Sequence, residues 1–145
     1  MRSQNESSAP SPWKLYIDTG GTFTDCIAYD PEGNIHRKKV LSSSAIRGMA
    51  EAGPSSNTLK IYLSEELPDS FFEECTFWLL DSPEDRFEIQ GFNASDSELT
   101  LDGPVGIKNG TKQAFEIRSH EEAPVLAARL VTKTAPGTQF PPLEV

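Results

Sequence analysis

The sequence predicts an α+β chain in two parts: a β-hairpin with a third strand and one helix, and a small antiparallel β-barrel or sandwich inserted between them. Three patterns point there. Two apolar runs, residues 15–17 and 23–29, are joined by a turn of Asp18, Thr19, Gly20 and Gly21. Five short runs between residues 58 and 117 alternate apolar and polar side chains, with turn-forming separators at regular spacing. Near the end, Val125, Leu126, Arg129 and Leu130 recur at helical spacing.

Taken in order, residues 1–12 are polar and aperiodic and read as a disordered leader. Strands are expected at 14–18 and 22–29, the second with some apolar character on both faces, as in a covered sheet. Asp30-Pro31-Glu32-Gly33-Asn34 is a strong turn signal. A third strand follows at 35–41, whose Arg37, Lys38 and Lys39 suggest an exposed margin. Residues 42–57, rich in Ser, Gly and Ala, read as a linker with a turn of helix around 45–52. Five β runs then lie at 58–63, 76–80, 86–92, 98–101 and 114–117, with residues 68–72 as a loop or short helix plugging one end. A helix is expected at 121–132, capped by Ser119, with Glu121 and Glu122 in its first turn. The tail at 135–142 is extended, and residues 143–145 look like the start of a further strand. The expected division is therefore 13–44 with 118–145, and an inserted β module at 58–117.

Composition narrows the function classes. A net charge of −9 and a pI near 4.7 argue against nucleic acid or an anionic membrane surface as partner. Residues 64–102 hold twelve acids against one base, Arg86, which reads as a solvated face or a surface for a basic partner. Cys26 and Cys75 form no disulfide framework and no metal spacing, so buried thiols in a reducing, cytoplasmic setting are expected. Three Asn-x-Ser/Thr sequons, at Asn5, Asn93 and Asn109, pull weakly toward secretion.

The chemistry sits in the first turn. Gly20 and Gly21 lack Cβ atoms, so positive φ and close approach of a ligand are open to them. The N–H groups of Gly20, Gly21 and Thr22 can converge on an anion, with the Thr22 and Thr24 hydroxyls as further donors. Asp18 suits such a site when Mg²⁺, held through water, lies between its carboxylate and the phosphate. This is a nucleotide-phosphate loop of the strand-turn-strand kind. A Walker loop is excluded, because Gly-Lys-Ser/Thr is absent and no helix follows. Asp25 would hold the turn or sit near the metal. His36 and His120 are isolated in polar surroundings, and no other nucleophile or acid-base set is evident.

The string Ile17-Asp18-Thr19-Gly20-Gly21-Thr22-Phe23-Thr24-Asp25, followed by Asp30-Pro31-Glu32-Gly33 and Lys39-Val40-Leu41-Ser42, resembles the N-terminal end of the hydantoinase/5-oxoprolinase family. The likeness covers residues 14–44 closely; residues 129–145 resemble the lead-in to the family's next strand, and the stretch between has no counterpart in the common pattern. The resemblance implies a piece of an actin-like or sugar-kinase-like ATPase subdomain, with this motif as its first phosphate-binding loop. It implies ATP and Mg²⁺ as cofactors, and ring-opening of a cyclic amide such as 5-oxoproline or a hydantoin through phosphorylation of the amide oxygen. Relatives couple the same chemistry to carboxylation of ketones. Implied partners are the remainder of the polypeptide and a second hydantoinase/oxoprolinase subunit or region. The second phosphate loop and adenosine pocket lie far downstream in that family, so no catalytic set is complete here and the 145 residues alone should turn over nothing. Two other classes compete: a stand-alone β-barrel binding module, with Tyr62, Trp78, Phe87 and Phe92 as groove or core, and a secreted structural domain.

Overall fold

The computed structural model describes residues 11–64 and 66–145. Residues 1–10, with most of the expected leader and the Asn5 sequon, lie outside the described residues. The chain opens with three antiparallel strands, β1 (Trp13–Thr19), β2 (Phe23–Tyr29) and β3 (Ile35–Leu41). Six more follow: β4 (Ala45–Ala52), β5 (Thr58–Tyr62), β6 (Thr76–Leu79), β7 (Phe87–Asn93), β8 (Glu98–Leu101) and β9 (Gln113–Arg118). They close into an antiparallel barrel in the order β4-β5-β8-β7-β6-β9. Helix α1 (Ala123–Thr132) then returns to the first sheet, and β10 (Leu143–Glu144) joins it parallel to β1, giving the order β10-β1-β2-β3.

The sheet buries one face. Leu15, Thr24, Cys26, Ala28 and Val40 point inward, while Tyr16, Asp18, Phe23 and Asp25 point out, as strand alternation requires. Helix α1 covers the inner face with Ala123, Leu126, Ala127 and Leu130. It begins later than the sequence suggests. Glu122 is the N-cap and makes no side-chain cap bond, no acid lies in the first turn, and the Ser119 hydroxyl instead accepts the amide of Glu121 at 3.1 Å. Pro124 fits the first turn, where its missing N–H leaves no intrahelical bond unmade.

Arg129, read above as part of the apolar stripe, is a buried cation. Its guanidinium forks onto Glu121, with Nε donating to Oε1 at 3.1 Å and Nη2 to Oε2 at 3.0 Å. Nη1 donates to the Thr138 carbonyl at 2.7 Å, and the group stacks 3.9 Å from the centre of the Phe140 ring. One side chain thus ties the helix, the segment before it and the tail together. That tail is not extended throughout, because residues 135–138 form a turn in which the Thr138 amide donates to the Ala135 carbonyl at 3.2 Å and Gly137 takes a positive φ.

The barrel is filled from its strands. Phe77 stacks on Phe115 at 5.4 Å, and Leu59, Ile61, Ile89, Leu99, Leu101 and Ile117 complete the layer around them. Phe71, Phe72 and Phe92 meet edge to face at 5.2 and 5.0 Å and close one end. Between Ile89 and Gly91 the β7–β8 register slips, a bulge of the kind that bends a barrel strand. Trp78 and Phe92 are buried, while Tyr62 stays partly exposed.

The expected linker and helical turn at 45–52 is a barrel strand. β4 pairs with β9 over six positions and with β5 over four, so the barrel begins at Ala45 and not at residue 58. Ala and Met favour helix in isolation, but pairing on both sides and burial of Ala45 and Ala50 outweigh that preference. Gly48 permits the closure. A Cβ there would lie 2.8 Å from both the Tyr62 carbonyl oxygen and Phe115 Cζ. Gly48→Ala should therefore lower stability by about 1–3 kcal/mol, read as a drop in the urea midpoint with an unchanged slope.

The chain leaves the sheet and rejoins it at nearly one point. The Ser119 amide donates to the Ser44 carbonyl at 3.2 Å, and the Ser44 hydroxyl donates to the carbonyl of Glu121.

Candidate functional site

Strands β1 and β2 pair in register from Lys14↔Tyr29 to Thr19↔Thr24, which leaves Gly20, Gly21 and Thr22 at the tip. The tip is exposed, but its glycines work differently from expectation. Neither Gly20 nor Gly21 has a positive φ; the positive-φ glycines among the described residues are Gly33, Gly110 and Gly137. The Gly20 amide is spent on the Phe23 carbonyl at 2.9 Å, so it cannot also face an anion. A Cβ on Gly20 would meet that same oxygen at 3.0 Å, which explains glycine there by close approach of backbone to backbone. Thr24 is likewise removed from the donor set, because it is fully buried.

What Thr24 does is hold the turn. The Ser42 hydroxyl donates to the Gly20 carbonyl at 2.9 Å, so its oxygen is left to accept from Thr24 Oγ1 at 3.0 Å. The Ser42 amide donates to the Thr22 carbonyl at 2.8 Å. Ser42 is the residue that sequence reasoning passed over: it stood in the quoted motif with no role attached, and only the fold brings it back to the tip.

The remaining predicted residues do come together. The Gly21 and Thr22 amides have no hydrogen-bond partner among the described residues, and nothing lies within 4 Å of a Cβ built on Gly21. Asp18 is exposed on the outer face of the sheet, beside the tip, and faces Asp25 directly across the ladder. Asp25 does not hold the turn; it lies 3.9 Å from Lys39 Nζ. Tyr16, Ile27, Arg37, Lys38 and Lys39 are among the residues that line an open groove of about 660 Å³ around the two carboxylates. Among the described residues no cluster of three metal-binding side chains forms, so a cation here would rest on one or two carboxylates and oxygens supplied by its ligand.

The other candidates are structural. Cys26 and Cys75 are buried free thiols, and burial raises both, Cys75 to about 12 with Glu121, Glu88 and Glu74 adding to the shift. Neither thiolate is available as a nucleophile. Asp30 is lowered to about 2, mainly by its 2.9 Å bond to His36 Nε2, with the Asn34 and Glu32 amides adding to it against the cost of desolvation. A carboxylate with a depressed folded value adds stability that is complete above the ordinary value near about pH 4 and disappears as pH falls toward 2. Asp30→Asn should lower the urea midpoint at neutral pH and flatten the loss between about pH 4 and 2.

Residues 14–62 match the family model of the hydantoinase/oxoprolinase N-terminal region. That segment is a hydantoinase/oxoprolinase N-terminal region. No curated protein and no solved structure matches the chain. The hydantoinase/oxoprolinase region contains Asp18, the whole tip and Ser42, and it extends past the third strand to the end of β5. Two barrel strands, β4 and β5, therefore lie inside the matched residues, beyond residue 44 where the likeness read from the sequence ends. No helix of the described residues is long and apolar enough to cross a membrane.

Proposed function

We propose that the chain is the N-terminal, phosphate-holding part of an ATP-dependent hydrolase that opens a cyclic amide, and that it acts with the remainder of its polypeptide and a second subunit or region of the same enzyme type, in the cytoplasm. The observation that carries this is the pair of unpartnered amides at Gly21 and Thr22 beside exposed Asp18, inside a hydantoinase/oxoprolinase region. These groups suit a magnesium-bound phosphate: two N–H donors and the Thr22 hydroxyl for oxygens, and one carboxylate for the cation's water shell.

ATP would supply the phosphoryl group that activates the amide carbonyl toward water, with Mg²⁺ offsetting its charge. The chain's own part is to hold and orient. The Thr24–Ser42–Gly20 chain fixes the tip before the ligand arrives, so little ordering remains to be done on binding. The reading takes the sheet and α1 as part of an actin-like or sugar-kinase-like ATPase subdomain, whose cleft needs further chain to close. Residues 1–145 alone should then bind nucleotide weakly and catalyse nothing.

A closed barrel with an aromatic core favours the second reading, a binding module without catalysis. The two are separated by assaying the full-length protein for opening of 5-oxoproline or a hydantoin with and without ATP. Ring-opening that needs ATP supports the hydrolase; no ring-opening of either compound under any condition supports the module.

A further inference from the structure

We propose that the groove between β3 and barrel strands β4 and β5 binds a small organic carboxylate with an apolar body. The groove measures about 470 Å³, within the usual range for small-molecule sites, and lies where the sheet meets the barrel. Val40, Ala45 and Leu130 are buried in its floor, and Phe23 and Tyr62 stand at its sides. Such a lining suits a hydrocarbon or aromatic body.

Its charge sets it apart. The chain carries 22 acids and 13 bases, yet Lys38, Lys39 and Arg47 line this groove and no acid does among the described residues. The other grooves described each hold a carboxylate: Glu66 in one, Glu84 and Asp85 in another, Asp18 and Asp25 in the third.

Arg47 is also held in advance. Its Nε donates to Glu116 at 2.9 Å, and the Glu116 side chain is only 8% exposed. This fixes the plane of the guanidinium while its Nη groups keep no partner among the described residues, the arrangement that favours a forked bond to a carboxylate. Lys39 meets Asp25 only at 3.9 Å, both side chains more than half exposed, so water screens that pair and the ammonium can turn to a ligand. A bare inorganic ion would leave the apolar floor unused, and a neutral ligand would leave the bases unused.

The test needs no nucleotide, so its failure and that of the phosphate-loop reading are separable. The chain is titrated with 2-naphthoate, with neutral 2-naphthamide and with inorganic phosphate, and backbone amide shifts are followed. Naphthoate should saturate with a Kd of about 1 mM or tighter and move Leu41, Ile46 and Leu63. Naphthamide and phosphate should each bind about tenfold more weakly. Lys39→Gln should weaken naphthoate about fivefold without changing naphthamide. Arg47→Lys, which keeps a cation on Glu116 and so protects the fold, should also weaken it. Equal affinity for naphthoate and naphthamide, no saturation, shifts outside the groove, or unchanged naphthoate binding in both variants would overturn the proposal.

Discussion

Asp18→Asn in the full-length protein should reduce ATP-dependent ring-opening at least about a hundredfold, the usual scale for losing one group of an electrostatic site, here the carboxylate that holds the Mg²⁺ which offsets phosphate charge. The substitution keeps the size and shape of the side chain and removes only its charge. It should also leave stability unchanged or slightly higher. Asp18 and Asp25 are direct cross-strand partners on the exposed face, and like charges in that position repel. A folded, undiminished melting profile together with lost turnover is the expected pair of results. Unchanged turnover would take Asp18 out of the mechanism.

The largest expected effect on stability comes from Arg129→Met. The native guanidinium is 5% exposed and supplies both arms of the bond to Glu121. Methionine fills most of the space but leaves the Glu121 carboxylate with the long 3.4 Å bond from Gly137 N, and leaves the Thr138 carbonyl without its donor. Breaking a fully buried ion pair by removing one partner costs about 3–5 kcal/mol. Because the Glu121 side chain keeps 26% exposure, the loss here should lie at or below the lower end of that range, still a large share of the roughly 5–15 kcal/mol that holds a typical domain folded. Arg129→Met with Glu121→Leu should recover much of that loss, because no uncompensated charge is left behind. Urea unfolding of the two single variants and the double completes the cycle. Additive losses would show that the pair is not coupled.

Legibility differed from element to element for physical reasons. The bounds of β3 and β8 coincide with the sequence reading because a strong turn signal precedes β3 and because side chains alternate along β8 between turn-forming separators. β4 was hidden because its stability lies in pairing with β5 and β9, which are distant in sequence, while its Ala and Met side chains point locally to helix. Arg129 sat at an apolar spacing and was read as stripe; its fork onto Glu121, with the bond to the Thr138 carbonyl, makes burial of the charge tolerable.

At the candidate site, residue type was informative and conformation was not. Gly21 and Thr22 stand at the tip, and Asp18 lies beside it in β1, across from Asp25. Gly20 and Thr24 belong instead to the scaffold behind it, and Ser42 completes that scaffold from 22 residues away. Nothing local in the sequence distinguishes a hydroxyl that faces a ligand from one that faces Ser42.

The most direct test of the central claim is a Mg-ATP titration of this chain followed at single amides. The account predicts weak, saturable binding, with a Kd of about 1–10 mM, that shifts Gly21 and Thr22 while Gly20, already bonded to Phe23, moves least. The response should require Mg²⁺ and vanish in Asp18→Asn. Silent Gly21 and Thr22 amides at saturating Mg-ATP, or shifts that persist without Mg²⁺ and in the variant, would contradict it.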